Sequence, residues 1–88
     1  MTNKIITWDE PKRIGNLAKH GLDFADLTLE FFLNATVVDV HSGRRAAIGT
    51  LDDGTVTTIF FELGTQGLSV ISLRPASAKE RAIHDQTR

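Results

Sequence analysis

Trp8-Asp9-Glu10-Pro11-Lys12-Arg13, continuing through Asn16 to Lys19-His20-Gly21-Leu22-Asp23-Phe24, decides how the chain begins to fold. Just upstream, Ile5-Ile6-Thr7-Trp8 is apolar and rich in β-formers. It stops at Asp9, a residue suited to cap a helix, and Pro11 is tolerated in the first turn that follows. A strand therefore gives way to a helix at this point. Within the helix Ile14, Leu17 and Ala18 form an apolar stripe, while Lys12, Asn16 and His20 recur at a four-residue spacing on another face. Gly21 is a natural left-handed stop.

A second helix is expected from Asp23 as cap to Asn34 as end signal. Asp26 reinforces its N-terminal end, Phe24, Leu27, Thr28 and Phe31 lie along one side, and Leu29, Phe32 and Leu33 widen the apolar surface for burial under a sheet. From Thr36 the pattern changes to strands over residues 36–40, 45–51, 55–63 and 68–74, with tight turns at Asp52-Asp53-Gly54 and Gly64-Thr65-Gln66-Gly67. The run from Val56 to Phe61 lacks polar alternation and suits a central strand covered on both faces. Strict alternation in the last strand places Leu68, Val70, Ser72 and Arg74 on one face and Ser69, Ile71 and Leu73 on the other. After Pro75, Ser77-Ala78-Lys79-Glu80 is a capping box that opens a C-terminal helix with little apolar content beyond Ala78, Ala82 and Ile83. The expected fold is α+β, with two N-terminal helices and a C-terminal helix around a mainly antiparallel sheet, in a single domain over residues 1–88.

Composition limits the classes of function. The chain has 88 residues, no cysteine and a formal charge of -1 from ten basic and eleven acidic residues. It is too small for a separate cofactor lobe, and it has neither a disulfide framework nor a thiolate metal site. The longest apolar run, Ile59-Phe60-Phe61, is too short to span a bilayer, and no secretory signal is expected before the first strand. A cytoplasmic address and no membrane partner follow as expectations. Positive charge is local: Arg44 and Arg45 are adjacent, and Arg74, Lys79, Arg81 and Arg88 crowd the C-terminal end. The three histidines lie on distant elements without ligand spacing, so no metal site is expected from His20, His41 and His84.

The block Trp8-Asp9-Glu10 with Lys12, Asn16, Lys19-His20-Gly21 and Phe24, the Ala47-Ile48-Gly49 strand, and Val70-Ile71-Ser72-Leu73-Arg74 followed by Ala76 and Glu80-Arg81 resembles the BrnT family of bacterial toxins. The match covers nearly the whole chain in order, and the first block is its most specific part. The resemblance implies a RelE-like fold and a ribonuclease that stops translation by cutting RNA without a cofactor. It also implies neutralisation by a BrnA-type antitoxin that binds operator DNA, so that the toxin meets DNA only through that complex. By the same resemblance the family's basic strand residue maps to Arg44, its strand-terminal arginine to Arg74 and its Glu-Arg pair to Glu80 and Arg81. Two departures stand out: His84 occupies a position where many members have tyrosine, and the segment from Gly64 to Ser69 is neutral where several are basic.

Metal-free RNA cleavage needs a base for the ribose 2′-hydroxyl, cationic donors for the phosphorane-like charge and an acid for the leaving 5′-oxygen. Arg74 at a strand end, with Arg81 and His84 on the next helix, converges on one phosphate if that helix folds back over the sheet; Arg44 and Arg45 then approach the same face from a neighbouring strand. Each residue has a structural competitor. Glu80 is a helix cap or a catalytic base, Arg81 a phosphate ligand or the partner of Asp85, and Arg74 a phosphate ligand or the partner of a protein carboxylate. For His84, catalysis and simple solvation are balanced. Trp8 is better explained by packing than by base stacking. Lys12, Asn16, Lys19 and His20 form either an RNA-facing surface or an intramolecular polar network. Two other readings are a BrnT-like binding module without activity and a structural domain with no nucleic-acid role.

Overall fold

In a computed structural model of the chain, which describes residues 4–87, five strands form one sheet in the order β1-β5-β4-β3-β2. The elements are β1 (Ile5–Trp8), α1 (Glu10–His20), a 3-10 turn (Phe24–Asp26), α2 (Leu29–Asn34), β2 (Thr36–Asp39), β3 (Arg45–Leu51), β4 (Gly54–Leu63), β5 (Gly67–Pro75) and α3 (Ala78–Thr87). Strands β2 to β5 pair antiparallel in sequence, and β1 joins the edge parallel to β5. The mainly antiparallel α+β sheet expected from sequence is therefore present. Arg88, counted above in the C-terminal basic run, lies outside the described residues. Among the described residues no helix is long and apolar enough to cross a membrane.

Helix α1 begins and ends where the punctuation places it. Asp9 holds the cap position with an extended backbone but makes no side-chain cap bond, and Gly21 adopts φ 70° while its N–H donates to the Leu17 carbonyl at 2.8 Å. The face it buries is a correction to the sequence reading. Ile14 and Leu17 of the apolar stripe are 57% and 39% exposed, whereas Asn16 is buried. The cause is the neighbour that α1 packs on, a stretch of β5 backbone that needs polar partners more than apolar ones.

The helix expected from Asp23 to Asn34 is also corrected. The Asp23 carboxylate accepts from the Ala25 N–H at 2.9 Å and caps only the 3-10 turn. Leu27 is extended, and the Thr28 hydroxyl then accepts from the Phe31 N–H at 3.1 Å to start α2 afresh. A β-branched hydroxyl residue favours such a cap over a helix interior. The break lets Phe24, Leu27 and Phe31 enter the core from separate directions and leaves Leu33 76% exposed.

The ladder register assigns the two faces of the sheet. Ile6, Trp8, Leu68, Val70, Leu73, Phe60, Val56 and Ala47 share the face covered by the 3-10 turn and α2, where they pack with Phe24, Leu27 and Phe31. On the opposite face Thr36, Ile48, Thr57 and Arg74 stand in one cross-strand row, and α3 packs over the β2 and β3 side of it. As expected, β4 is central, with Val56, Thr57, Thr58 and Phe60 all buried.

Strict alternation fails in β5. Phe60 pairs with Val70 and Ile59 with Ser72, so Ile71 is an extra residue and the strand carries a β-bulge. Leu73 rather than Ser72 consequently joins Leu68 and Val70 in the core, and Arg74 turns to the α3 face. The side assignment made from the pattern holds up to the bulge and inverts for Leu73 relative to Leu68 and Val70.

Sheet and helix layer approach closely at Gly49: a Cβ there would lie 2.9 Å from Phe31 Cε1 and 3.3 Å from the Ala35 Cβ. Phe31 is itself buried and stacked edge-on against Phe32, so it has little room to withdraw. Gly49→Ala is expected to lower unfolding free energy by about 1–3 kcal/mol, the usual cost of overpacking. Urea denaturation measures it, and a variant as stable as the parent contradicts this packing.

Candidate functional site

Arg74 leaves β5 just before Pro75 breaks the strand, and the capping box brings Glu80 back to it. The guanidinium donates from Nη1 to Glu80 Oε1 at 2.7 Å and from Nη2 to Oε2 at 2.8 Å, a bidentate pair. Glu80 is at the same time the helix cap: its Oε1 accepts from the Ser77 N–H at 2.9 Å, and its own N–H donates to Ser77 Oγ at 3.1 Å. A further donor to Oε1 is the Thr57 hydroxyl, at 3.0 Å. The Arg74 guanidinium, followed by the Ser77 and Thr57 donors, outweighs burial and holds the Glu80 carboxyl down at about 2. Arg74 is raised by the same pair, and its side chain keeps 37% of its surface exposed.

The other expected site residues are distributed along α3 and beyond it. Arg81 is exposed and donates from Nη1 to the Ala76 carbonyl at 3.0 Å, bracing the turn between β5 and α3. His84, one helical turn beyond Glu80, is only 4% exposed, and its Nδ1 lies 2.8 Å from Thr36 Oγ1. Thr36 and Arg74 end the same cross-strand row, so three strand spacings, roughly 14 Å at about 4.8 Å each, separate their backbones. The helix does fold back over the sheet: its Glu80 meets Arg74, and His84 sits one turn further along against Thr36. His84 lines an open cleft of about 610 Å³ together with Asp26, Glu30 and Asp52. Three carboxylates make that cleft a poor seat for phosphate.

Arg45 does not approach the Arg74 face, contrary to the expectation from sequence. Arg45 pairs with Phe60 in the ladder, three residues along β4 from the Thr57 that faces Arg74, and Arg44 lies beyond it in the β2–β3 turn. The side chain of Arg45 emerges on the α2 side, where Nε donates to Asp39 at 3.1 Å and Nη1 to Glu62 at 2.8 Å, with Lys4 3.6 Å from Glu62. Arg44, Lys12 and Lys19 are exposed and make no ion pair with the described residues.

Trp8, Glu10, Arg13 and Asp23 of the opening block are linked in one network. Trp8 packs edge-on against Phe24 with ring centroids 6.4 Å apart, and its indole N–H donates to Glu10 at 3.0 Å. Arg13 donates to Glu10 at 2.8 Å and to both carboxylate oxygens of Asp23 at 2.8 and 3.0 Å. Asp23 is thereby lowered and Arg13 raised, each chiefly by the hydrogen bond between them.

Thr57 is the site residue that sequence reading missed. Its only signal was a hydroxyl in a strand expected to be covered on both faces, and its contact with Glu80 depends on the register that the bulge sets.

Fold and site together define a small α+β protein with a partly exposed, carboxylate-paired arginine at a strand end beneath a C-terminal helix. The model of the family described as ribonuclease toxin, BrnT, of type II toxin-antitoxin system matches residues 8–80. The crystal structure of the Brucella abortus ribonuclease toxin, BrnT, is similar with a TM-score of 0.80 and 53% sequence identity, over 86% of this chain and 99% of that one. No match is found among curated proteins. The chain belongs to the BrnT family of ribonuclease toxins, as its opening block and strand-end arginine suggested, and a toxin of this class has an antitoxin partner.

Because the folded-state value of Glu80 lies below its ordinary 4.5, its ion pair stabilises fully above pH 4.5 and the stabilisation is lost as pH falls toward about 2. Glu80→Gln keeps a capping side chain and removes the charge. After discounting for solvent screening, it is expected to cost about 1–2 kcal/mol at pH 7, with the gap to the parent narrowing below pH 4.5. Chemical denaturation across pH measures the gap, and a difference that stays constant with pH argues against the pairing.

Proposed function

We propose that this chain is a RelE-like endoribonuclease that acts in the cytoplasm, inhibits translation by cutting RNA without a metal ion, and is held inactive by a BrnA-type DNA-binding antitoxin. The observation that supports this most directly is Arg74, a planar two-proton donor fixed at a strand end with more than a third of its surface open to solvent. A guanidinium presented in this way matches two oxygens of a phosphodiester. In the cleavage step the 2′-hydroxyl loses its proton, its oxygen bonds to phosphorus, the bond to the 5′-oxygen breaks and that oxygen takes up a proton. Arg74 and Arg81 are the proposed ligands for the charge that builds on phosphorus. Glu80 orients Arg74; with its carboxyl held at about 2 it is a weak base. His84 is the proposed imidazole of the site, and Arg44, Lys12 and Lys19 are the proposed outer contacts to the RNA backbone.

A second reading is supported by the same ion pair. With Arg74 engaged by Glu80 and the segment from Gly64 to Ser69 neutral, the chain would act only by binding its antitoxin. Expression without antitoxin, with growth and RNA integrity followed and the purified chain assayed in EDTA, separates the two. The enzyme reading expects growth arrest, cleavage in EDTA, and a loss of about 10²–10³-fold in rate for Arg74→Ala, the usual effect of removing one transition-state donor. Normal growth and intact RNA with the parent chain would sink it, while retained binding to the antitoxin would then favour the binding module.

A further inference from the structure

Strand β1 leaves the sheet at Trp8, opposite Val70, yet β5 runs on to Pro75. Beyond Val70, therefore, the side of β5 turned away from β4 has no strand beside it. An unpaired peptide group buried there would cost about as much as a lost hydrogen bond. Asn16 fills that place. Its Oδ1 accepts from the Leu73 N–H at 3.0 Å, and its Nδ2 donates to the Leu73 carbonyl at 2.8 Å. Nδ2 also donates to the Leu22 carbonyl at 3.1 Å, which ties α1 to the chain after its own C-terminus.

A carboxamide offers one donor group and one acceptor in the same arrangement as a peptide, so Asn16 does for Leu73 what a further residue of β1 would have done. Asn16 is 9% exposed and Leu73 is fully buried. From the β4 side the Thr58 hydroxyl donates to the Ser72 carbonyl at 2.8 Å. The two residues between the bulge and Arg74 are thus held from both sides.

We infer that Asn16 is a positioning residue for the Arg74 site: its carboxamide locks the β5 backbone at Leu73 and thereby fixes the direction in which Arg74 leaves the strand toward Glu80. The inference rests on the proposed role of Arg74 and extends it to a residue that touches neither the guanidinium nor any RNA contact proposed above. It also accounts for a polar residue at the buried centre of a helix whose apolar stripe is exposed.

Asn16→Ala leaves the Leu73 N–H and two carbonyls without their partner. Asn16→Asp is nearly isosteric and keeps an acceptor for the Leu73 N–H, but sets a carboxylate oxygen against both carbonyls. Gly49→Ala, two strands away on β3, controls for lowered stability. For each folded variant, hydrogen exchange of the Leu73 amide and the guanidinium NMR signals of Arg74 are recorded alongside kcat and KM for RNA. Asn16 variants are expected to lose Leu73 protection and shift the Arg74 signals. They are also expected to lower kcat by about 10–100-fold with KM changed less than about threefold, as for a misplaced catalytic group. Gly49→Ala should do neither. Unchanged Leu73 exchange and Arg74 signals in Asn16→Asp overturn the positioning role, as does a kcat no lower than that of Gly49→Ala. A parent chain that leaves RNA intact overturns the ribonuclease reading instead, and the exchange and NMR measurements still decide whether Asn16 sets Arg74.

Discussion

The extra residue at Ile71 turns β5 over between Val70 and Ser72, and both faces of the sheet take their composition from that turn. Without it, a strictly alternating strand would place Arg74 on the side of Leu68 and Val70, inside the apolar layer with Phe24 and Phe31. A guanidinium there would have to be desolvated and paired in the core, at a cost that apolar packing would not offset. With it, Leu73 fills the core and Arg74 reaches the α3 side, in line with Thr57, Ile48 and Thr36. The bulge also coincides with the end of β1, so backbone groups just beyond it need partners from elsewhere. That demand explains why α1 buries Asn16 and leaves Ile14 and Leu17 in solvent, and why Thr58, a hydroxyl residue in a fully buried position, sits opposite.

Charge pairing governs which cations remain available. Arg45 is taken up by Asp39 and Glu62, and Arg13 by Glu10 and Asp23, so two of the chain's arginines are spent on holding elements together. In these pairs acidic residues stand beside basic ones, while Asp26, Glu30 and Asp52 line a separate cleft. Helix α3 has Arg74 and Glu80 near its start and, toward its end, His84 on a cleft with three carboxylates.

The strands were legible because β-branched runs and glycine turns mark them directly, and α1 was legible from Pro11 and Gly21. The capping box at Ser77 and Glu80 was readable as a local pattern and both of its hydrogen bonds form. The break at Thr28 was not readable, since a hydroxyl that caps and a threonine on a helix face look alike in sequence. Nor was the inverted polarity of α1, because the need it answers lies 57 residues away in β5. A carboxylate partner was one of two options for Arg74, but Glu80 was read as a cap or a catalytic base, so the pair between them was not foreseen. The place of Arg45 on the opposite face needed the register itself, which no single-strand pattern contains. The resemblance carried by Trp8 to Phe24 identified the family without reading its geometry.

Glu80 poses the central difficulty for any phosphate bound at Arg74, since the carboxylate already occupies the fork. Its hydrogen bonds also suggest how the difficulty is met. Carboxylate and phosphate present a similar two-oxygen edge, so a guanidinium held flat by Glu80 is already ordered for a phosphodiester and loses little further freedom on exchange. Were Arg74 to turn to such a ligand, Glu80 Oε1 would keep the Ser77 N–H and the Thr57 hydroxyl, and only Oε2 would be left to water. The carboxylate would therefore not be stranded, which is what makes breaking most buried ion pairs costly. The capping box starts α3 and, together with Thr57, gives Glu80 donors besides the arginine it pairs with.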